Sequence, residues 1–242
     1  QRLRVRLGKQ GELALLGHLD LVRLFDRALR RAAIPIAFTG GFHPGPRISP
    51  ANALPLGATS SGEVIDFELT EPMDLATFQA QLAAQLPADM PIFEVVDVPL
   101  SHPSATKSLE RAEYLLVLAP EATAEAIPQS DWAAWMAEIL SAESVMWEHT
   151  TKSGKKKSVN LRDRLFELTL ADQSLVSLLP AHWQGNKADS SVVMRYVGSC
   201  RNDGTLLRPE HVTFMFEQRA SCPLSLLHAH RLQLILNPQL PD

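Results

Sequence analysis

The chain has 242 residues, enough for one large domain or two small ones, and 45% hydrophobic with 21% charged residues excludes both disorder and a fibrous repeat. Two cysteines, Cys200 and Cys222, exclude a disulfide scaffold, a four-cysteine zinc site and a three-cysteine cluster motif within this sequence. The net charge of −4 is unevenly spread: residues 1–50 carry nine basic and three acidic side chains, a balance of +6, which leaves −10 for the rest. A second basic run comprises Lys152, Lys155, Lys156, Lys157, Arg162 and Arg164 against Asp163. Two such concentrations let an acidic chain present a local positive face. No apolar run approaches the ~18 residues of a membrane helix, and no charged-then-apolar leader is visible. The expectation is a cytoplasmic protein with no membrane association, and the start at Gln1 suggests a piece of something longer.

From the amino end, Leu3, Val5 and Leu7 alternate with Arg2, Arg4 and Arg6, the period of a half-buried strand with a basic outer row. Over His18–Ala33 the period lengthens, with Val22, Phe25, Leu29 and Ala32 as the apolar stripe of an amphipathic helix. At ~100° per residue, Arg23, Arg27, Arg30 and Arg31 fall on one arc of that helix, and Asp20 in its first turn suits the helix dipole. Pro35 stops the helix, and Ile36–Thr39 reads as a short strand. Gly40 to Gly62 is a long loop with four prolines and five glycines, expected to be ordered and functional. A strand over Val64–Leu69, a helix over Leu75–Leu86 and a strand over Ile92–Val98 follow. This βαββαβ order predicts a ferredoxin-like sandwich over residues 1–100.

Residues 101–112 read as a linker. Beyond them, Tyr114–Leu118 and Val145–His149 read as strands around a helix at Trp132–Leu140, where Trp132 and Trp135 share a core-facing side and Trp147 joins the core. Residues 151–158 form a basic loop. Leu165–Leu170 and Leu175–Leu179 pair as a hairpin, Val192–Val197 is a strand, Arg208-Pro209-Glu210 opens a helix, and His228–Leu236 is the last strand. The fold class is therefore α+β, with a second ferredoxin-like half and insertions over 113–242.

The candidate site joins the arginine helix to the proline-stiffened loop. Arg23, Arg27, Arg30, Arg31 and Arg47 offer paired donors to phosphate, and Phe42 or His43 offers a ring to stack on a base. Single-stranded RNA is the ligand such a surface suits, with His18, Asp20, Gly41, Pro44 and Pro46 in support. No metal site and no catalytic residue is expected: the histidines lack ligand spacing, and neither a phosphate-cradling nor a dinucleotide motif is present. Metal-independent RNA cleavage by His18 and a second histidine is the catalytic alternative.

The runs Gly17-His18-Leu19-Asp20, Arg27-Ala28-Leu29-Arg30-Arg31-Ala32, Gly41-Phe42-His43-Pro44-Gly45-Pro46-Arg47-Ile48-Ser49, Leu54-Pro55-Leu56-Gly57 and Ser60-Ser61-Gly62-Glu63 resemble the radical SAM-linked domain family, densely over residues 2–70. Family members usually carry Asn at the position of His43 and His at that of Gly45. The resemblance implies an uncharacterised domain encoded beside, or fused C-terminal to, a radical SAM protein. S-adenosylmethionine and an iron–sulfur cluster would then belong to that partner, with no cofactor in this chain. By analogy with RNA-modifying enzymes that carry an appended RNA-binding domain, it would grip the RNA substrate. The alternatives are a module that docks the radical SAM core through residues 40–62, and a tandem ferredoxin-like ribonuclease.

Overall fold

The computed structural model describes residues 1–121, 127–150, 154–184, 191–220 and 222–237. The chain divides into two compact units, one formed by Gln1–Glu110 with Arg231–Asp242, the other by Arg111–His230. The first holds β1 (Arg2–Lys9), α1 (His18–Arg31), β2 (Ile48–Pro50), β3 (Thr59–Glu68), α2 (Leu75–Ala83), β4 (Ile92–Asp97) and α3 (Ala105–Ser108). The second holds most of β5 (Leu109–Pro120), then α4 (Gln129–Ser141), β6 (Met146–Thr150), β7 (Lys156–Asn160), β8 (Leu165–Leu170), α5 (Gln173–Val176), α6 (Ala181–Gln184), β9 (Val192–Ser199) and α7 (Pro209–Glu217). The last strand, β10 (Leu224–Leu236), gives its first half to the second unit and its Arg231–Leu236 end to the first. The protein is α+β, with helices packed on antiparallel strands. Among the described residues, no helix is long and apolar enough to cross a membrane.

In the first unit the strand order is β4-β1-β3, with β2 and the end of β10 along the other edge of β3. The alternation of β1 works as expected on its apolar side: Leu3, Val5 and Leu7 are fully buried. They pack with Leu21, Phe25, Ala28 and Leu29 of α1 and with Phe78 and Leu82 of α2. Phe67 of β3 joins both helices, edge-on to Phe25 at 5.5 Å and tilted against Phe78 at 5.9 Å. Each such side chain contributes about 1.5–3 kcal/mol on leaving water. The buried stripe of α1 thus shares Phe25 and Leu29 with the expected one, while Val22 and Ala32 are half-buried at its margin. The helix ends in a left-handed residue, Ala33 at φ 52, two positions before Pro35.

The polar side of β1 differs from expectation. Of the expected outer row only Arg6 is exposed; Arg2 and Arg4 are not. They lie opposite Glu68 and Asp66 in the β1–β3 register, and Arg2 is buried. Cross-strand pairing of opposite charges consumes them. Ile36–Thr39 is not a strand: it makes two isolated bridges, Ile36 to Leu69 and Phe38 to Pro46. The strand that pairs with β3 is β2, inside the segment expected to be loop, and β3 itself begins at Thr59, before Gly62. Residues 101–112 are not a free linker, since they hold α3 and the start of β5.

In the second unit the order is β10-β5-β9-β8, with β6 and β7 as a separate hairpin. Its core gathers Leu115, Leu116, Met194, Tyr196, Val212, Met215 and Phe216. Trp132 is buried edge-on to Phe216 at 5.6 Å. Trp147 is only half-buried and stacks on His149 at 4.4 Å, with His211 on it at 4.5 Å. The expected hairpin of Leu165–Leu170 with Leu175–Leu179 does not form. β8 pairs with β9, and residues 173–176 are helical, capped by the Asp172 carboxylate accepting from the Leu175 N–H. Residues 151–153 of the expected basic loop lie outside the described residues, and its remainder enters β7 at Lys156.

Candidate anion-binding cleft on the first unit

One face of α1 and the end of α2 enclose a cleft of about 620 Å³, lined by Leu16, Asp20, Arg23, Leu24, Arg27, Arg31 and residues 84–87. The apolar walls come from Leu16, Leu24, Leu86 and Pro87, and the charge comes from three guanidinium groups against one carboxylate. Arg23 donates to Asp20 at 3.2 Å with both side chains mostly exposed. Arg31 donates to the Gln85 side chain at 3.1 Å and to its backbone carbonyl at 2.9 Å, which holds its planar group at the cleft wall. Arg27 makes no hydrogen bond or ion pair among the described residues. An exposed pair such as Arg23–Asp20 is worth at most about 1 kcal/mol, so the cleft gives up little when a stronger anion enters.

The remaining expected site residues lie elsewhere on the unit. Arg30 turns away from the cleft, pairs with Asp26 at 3.0 Å and covers the Phe38 ring at 5.6 Å. Residues 37–47 form a narrow loop, closed by the Thr39 N–H to Gly45 carbonyl bond and the Arg47 N–H to Ala37 carbonyl bond, both 2.8 Å. Gly41 takes a left-handed φ of 103 at its tip, a conformation that favours glycine, and leaves Phe42 fully exposed. His43 and Pro44 are exposed beside it, and Pro46 is half-buried at the base. Arg47 is tied to Glu68 at 2.8 Å. Burial raises the Glu68 carboxyl, but the hydrogen bonds from Arg47 and Arg2 outweigh it and hold the pKa below its usual value. His18 lies at the start of α1, and no hydrogen bond joins it to His43 among the described residues.

Sequence reasoning missed a second charged group. Arg231, fully buried on β10, donates through Nη1 to both oxygens of Glu63 at 3.0 Å and through Nη2 to the Asn52 side chain at 3.0 Å. Lys9, 2% exposed, lies nearby. Arg231 is 168 positions from Glu63, and no local pattern announces such a pair. In the second unit, His211 and His230 are both held near pKa 4 by burial, His211 also by the nearby Arg208 and Arg164. Among the described residues, no group of three or more metal-ligating side chains assembles.

The first unit of this α+β protein thus carries a cleft lined by three guanidinium groups and one carboxylate. The chain belongs to the family described as "uncharacterized protein conserved in bacteria (DUF2344)", which matches residues 2–209. No curated protein matches the chain. Among solved structures, it resembles a chain in the crystal structure of a Cbf5–Nop10–Gar1 complex, with a TM-score of 0.52 and 9% identity over 96% of this chain and 48% of that one. It also resembles a chain of the archaeal box H/ACA sRNP Nop10–Cbf5 complex, with a TM-score of 0.48 and 10% identity over 99% of this chain and 49% of that one. The chain thus spans about half the length of the structures it matches.

Proposed function

We propose that this chain is a non-catalytic substrate-recognition domain that grips RNA and works beside, or fused to, a radical SAM protein. The observation that carries the reading is the cleft along α1, where Arg23, Arg27 and Arg31 face one carboxylate. Guanidinium groups match phosphate oxygens through paired donors. Phe42, exposed on a loop stiffened by Pro44 and Pro46, offers a free ring face to a base. The strand orders β4-β1-β3-β2 and β10-β5-β9-β8 support reading both units as ferredoxin-like, the second with β6–β7 inserted.

The radical SAM partnership rests on the resemblance over residues 2–70. S-adenosylmethionine and an iron–sulfur cluster belong, in this reading, to the partner. The donor set of this chain does not fit a three-thiolate cluster, because its two cysteines are Cys200, fully buried beyond β9, and Cys222. Filter binding of a single-stranded RNA at several salt concentrations tests the gripping role. Affinity falls as salt rises, with a slope of about −0.7 per phosphate contact, and Arg23→Ala and Arg27→Ala each weaken binding and flatten the slope. An affinity indifferent to salt and to both substitutions overturns the reading.

A docking role without RNA has one observation in its favour. Leu15, Leu19 and Leu56 are 68–70% exposed, and the Gly57 N–H donates to the Ala14 carbonyl at 2.9 Å, which brings the 56–57 turn beside residues 14–15. Co-purification of the radical SAM protein with the Leu15→Ser, Leu19→Ser, Leu56→Ser triple variant tests it, and unchanged recovery rejects it.

A further inference from the structure

The three arginines of the cleft are not equivalent. Arg27 makes no hydrogen bond or ion pair among the described residues, and Arg23 pairs with the exposed Asp20. Arg31 spends Nε on the Gln85 side-chain oxygen at 3.1 Å and Nη2 on the Gln85 backbone carbonyl at 2.9 Å. That carbonyl lies just past the end of α2, where a cation is favoured. Two bonds to one residue fix the plane of a guanidinium as well as its position. They also occupy one side of the fork that paired phosphate oxygens would use. Of the three, Arg31 is therefore the least free to turn its donors onto phosphate and the most fixed as a flat surface. A guanidinium plane stacks on aromatic rings, and single-stranded RNA is held by unstacked bases laid on such planes. The rest of the cleft suits a ring as well as a charge. Leu24 shares the face of α1 that carries Arg27 and Arg31, and Leu86 and Pro87 follow Gln85 on the α2 side. Its volume of about 620 Å³ falls in the size class of sites that enclose a whole small molecule.

We infer that Arg31 is the base-stacking shelf of the cleft: one unstacked nucleobase lies on its plane, edged by Leu24, Leu86 and Pro87, while the adjoining phosphates reach Arg27 and Arg23. The inference rests on the RNA reading above and divides its arginines by role. The four-residue steps from Arg31 to Arg27 and from Arg27 to Arg23 are about 6 Å each along α1, and residues four apart form one row on a helix surface. Shelf and phosphate donors therefore stand in sequence along one side of the cleft. The arrangement selects unpaired strands, because a base inside a duplex is covered by its neighbours and has no face to lay on Arg31.

The test uses the full chain carrying Phe42→Ala, which removes the other ring face offered to a base. Two probes are titrated by fluorescence anisotropy at several salt concentrations: a short single-stranded RNA, and an abasic strand of the same length and phosphate count. The intact strand binds about tenfold tighter, the size of one stacked base, and both strands show the same salt slope because their phosphates are equal. Adding Arg31→Lys, which keeps the charge and loses the plane, brings the ratio between strands toward one and leaves the slope unchanged. Adding Arg27→Ala instead lowers the slope for both strands and keeps the ratio. If Arg31 did no more than tie α1 to Gln85, its loss would weaken both strands alike, and a ratio that survives Arg31→Lys overturns the inference. Equal affinities before that substitution overturn it too, while salt-dependent binding of both strands leaves the RNA reading intact. Binding of neither strand overturns the inference and the RNA reading together.

Discussion

The first unit uses arginine in two ways. Arg2 and Arg4 of β1 and Arg231 of β10 are internal, unlike the exposed Arg6: Arg4 makes two bonds to Asp66, at 2.8 and 3.1 Å, and Arg231 is enclosed with Glu63. On α1 the guanidinium groups are exposed and loosely held, with Arg23 and Arg30 in short-range pairs and Arg27 in none among the described residues. Counted along the sequence, the β1 and α1 arginines fall in one basic region, and Arg231 lies far from it. In space the first set welds strands together, and only the second is available to a ligand. Burial and a fixed carboxylate decide which role an arginine takes, because desolvation makes a buried guanidinium dependent on its partner while an exposed one exchanges partners at little cost.

The largest expected effect breaks the internal set. Arg231→Met strands Glu63 in the interior, and removing one member of a buried pair costs about 3–5 kcal/mol. Urea denaturation measures it, and the added change Glu63→Gln recovers part of the loss by removing the orphaned charge. A cost below about 1 kcal/mol for Arg231→Met would place the pair in water and erase the contrast with α1. Next comes the backbone contact that brings Arg231 to Glu63. A Cβ on Gly62 would lie 2.3 Å from the Leu232 carbonyl oxygen and 2.5 Å from Gln233 Cα. Gly62→Ala therefore pushes β3 and the end of β10 apart at a cost of about 1–3 kcal/mol, read as a lower Tm.

A smaller effect comes from Glu68, shared by Arg2 and Arg47. Its carboxyl is lowered from 4.5 in the fold, so the unfolded chain takes up the proton first as pH falls. The stability it contributes is complete above pH 4.5 and is lost as pH drops through the folded value. Glu68→Gln flattens that stretch of the stability–pH curve. An unchanged acid limb would mean that the exposed Arg47 arm carries none of the interaction.

The first unit was legible where a local pattern carries the fold. The alternation of Leu3, Val5 and Leu7 and the spacing of Phe25 and Leu29 follow from one-sided burial, which period alone reveals. β2 was not legible because it is three residues long, ends on Pro50 and sits among turn residues; it exists through pairing with Ile65–Phe67. Leu175, Leu178 and Leu179 suit a helical face as well as a strand, and the Asp172 cap was the local signal that separates the two. For the site, the arc of four arginines was visible, but its division between cleft and loop was not. That division depends on Gln85 and Phe38, contributed by segments the helix period cannot place. The Lys9, Glu63 and Arg231 group was invisible for the same reason.

The smallest stability effect is also the sharpest functional comparison. Arg27→Ala removes an exposed side chain with no bond among the described residues, so the fold changes by less than about 0.5 kcal/mol. Arg30→Ala loses the Asp26 pair and the Phe38 contact, a similarly small amount. The two variants separate in binding to single-stranded RNA. Arg27 lines the cleft and Arg30 does not, so Arg27→Ala weakens binding several-fold and takes about 0.7 from the salt slope. Arg30→Ala leaves the slope near that of the parent. Equal losses from both would return the four arginines to a single diffuse positive face and remove the cleft as the gripping element. A loss confined to Arg27, with Arg23→Ala alongside it, ties the ligand to the side of α1 that faces residues 84–87.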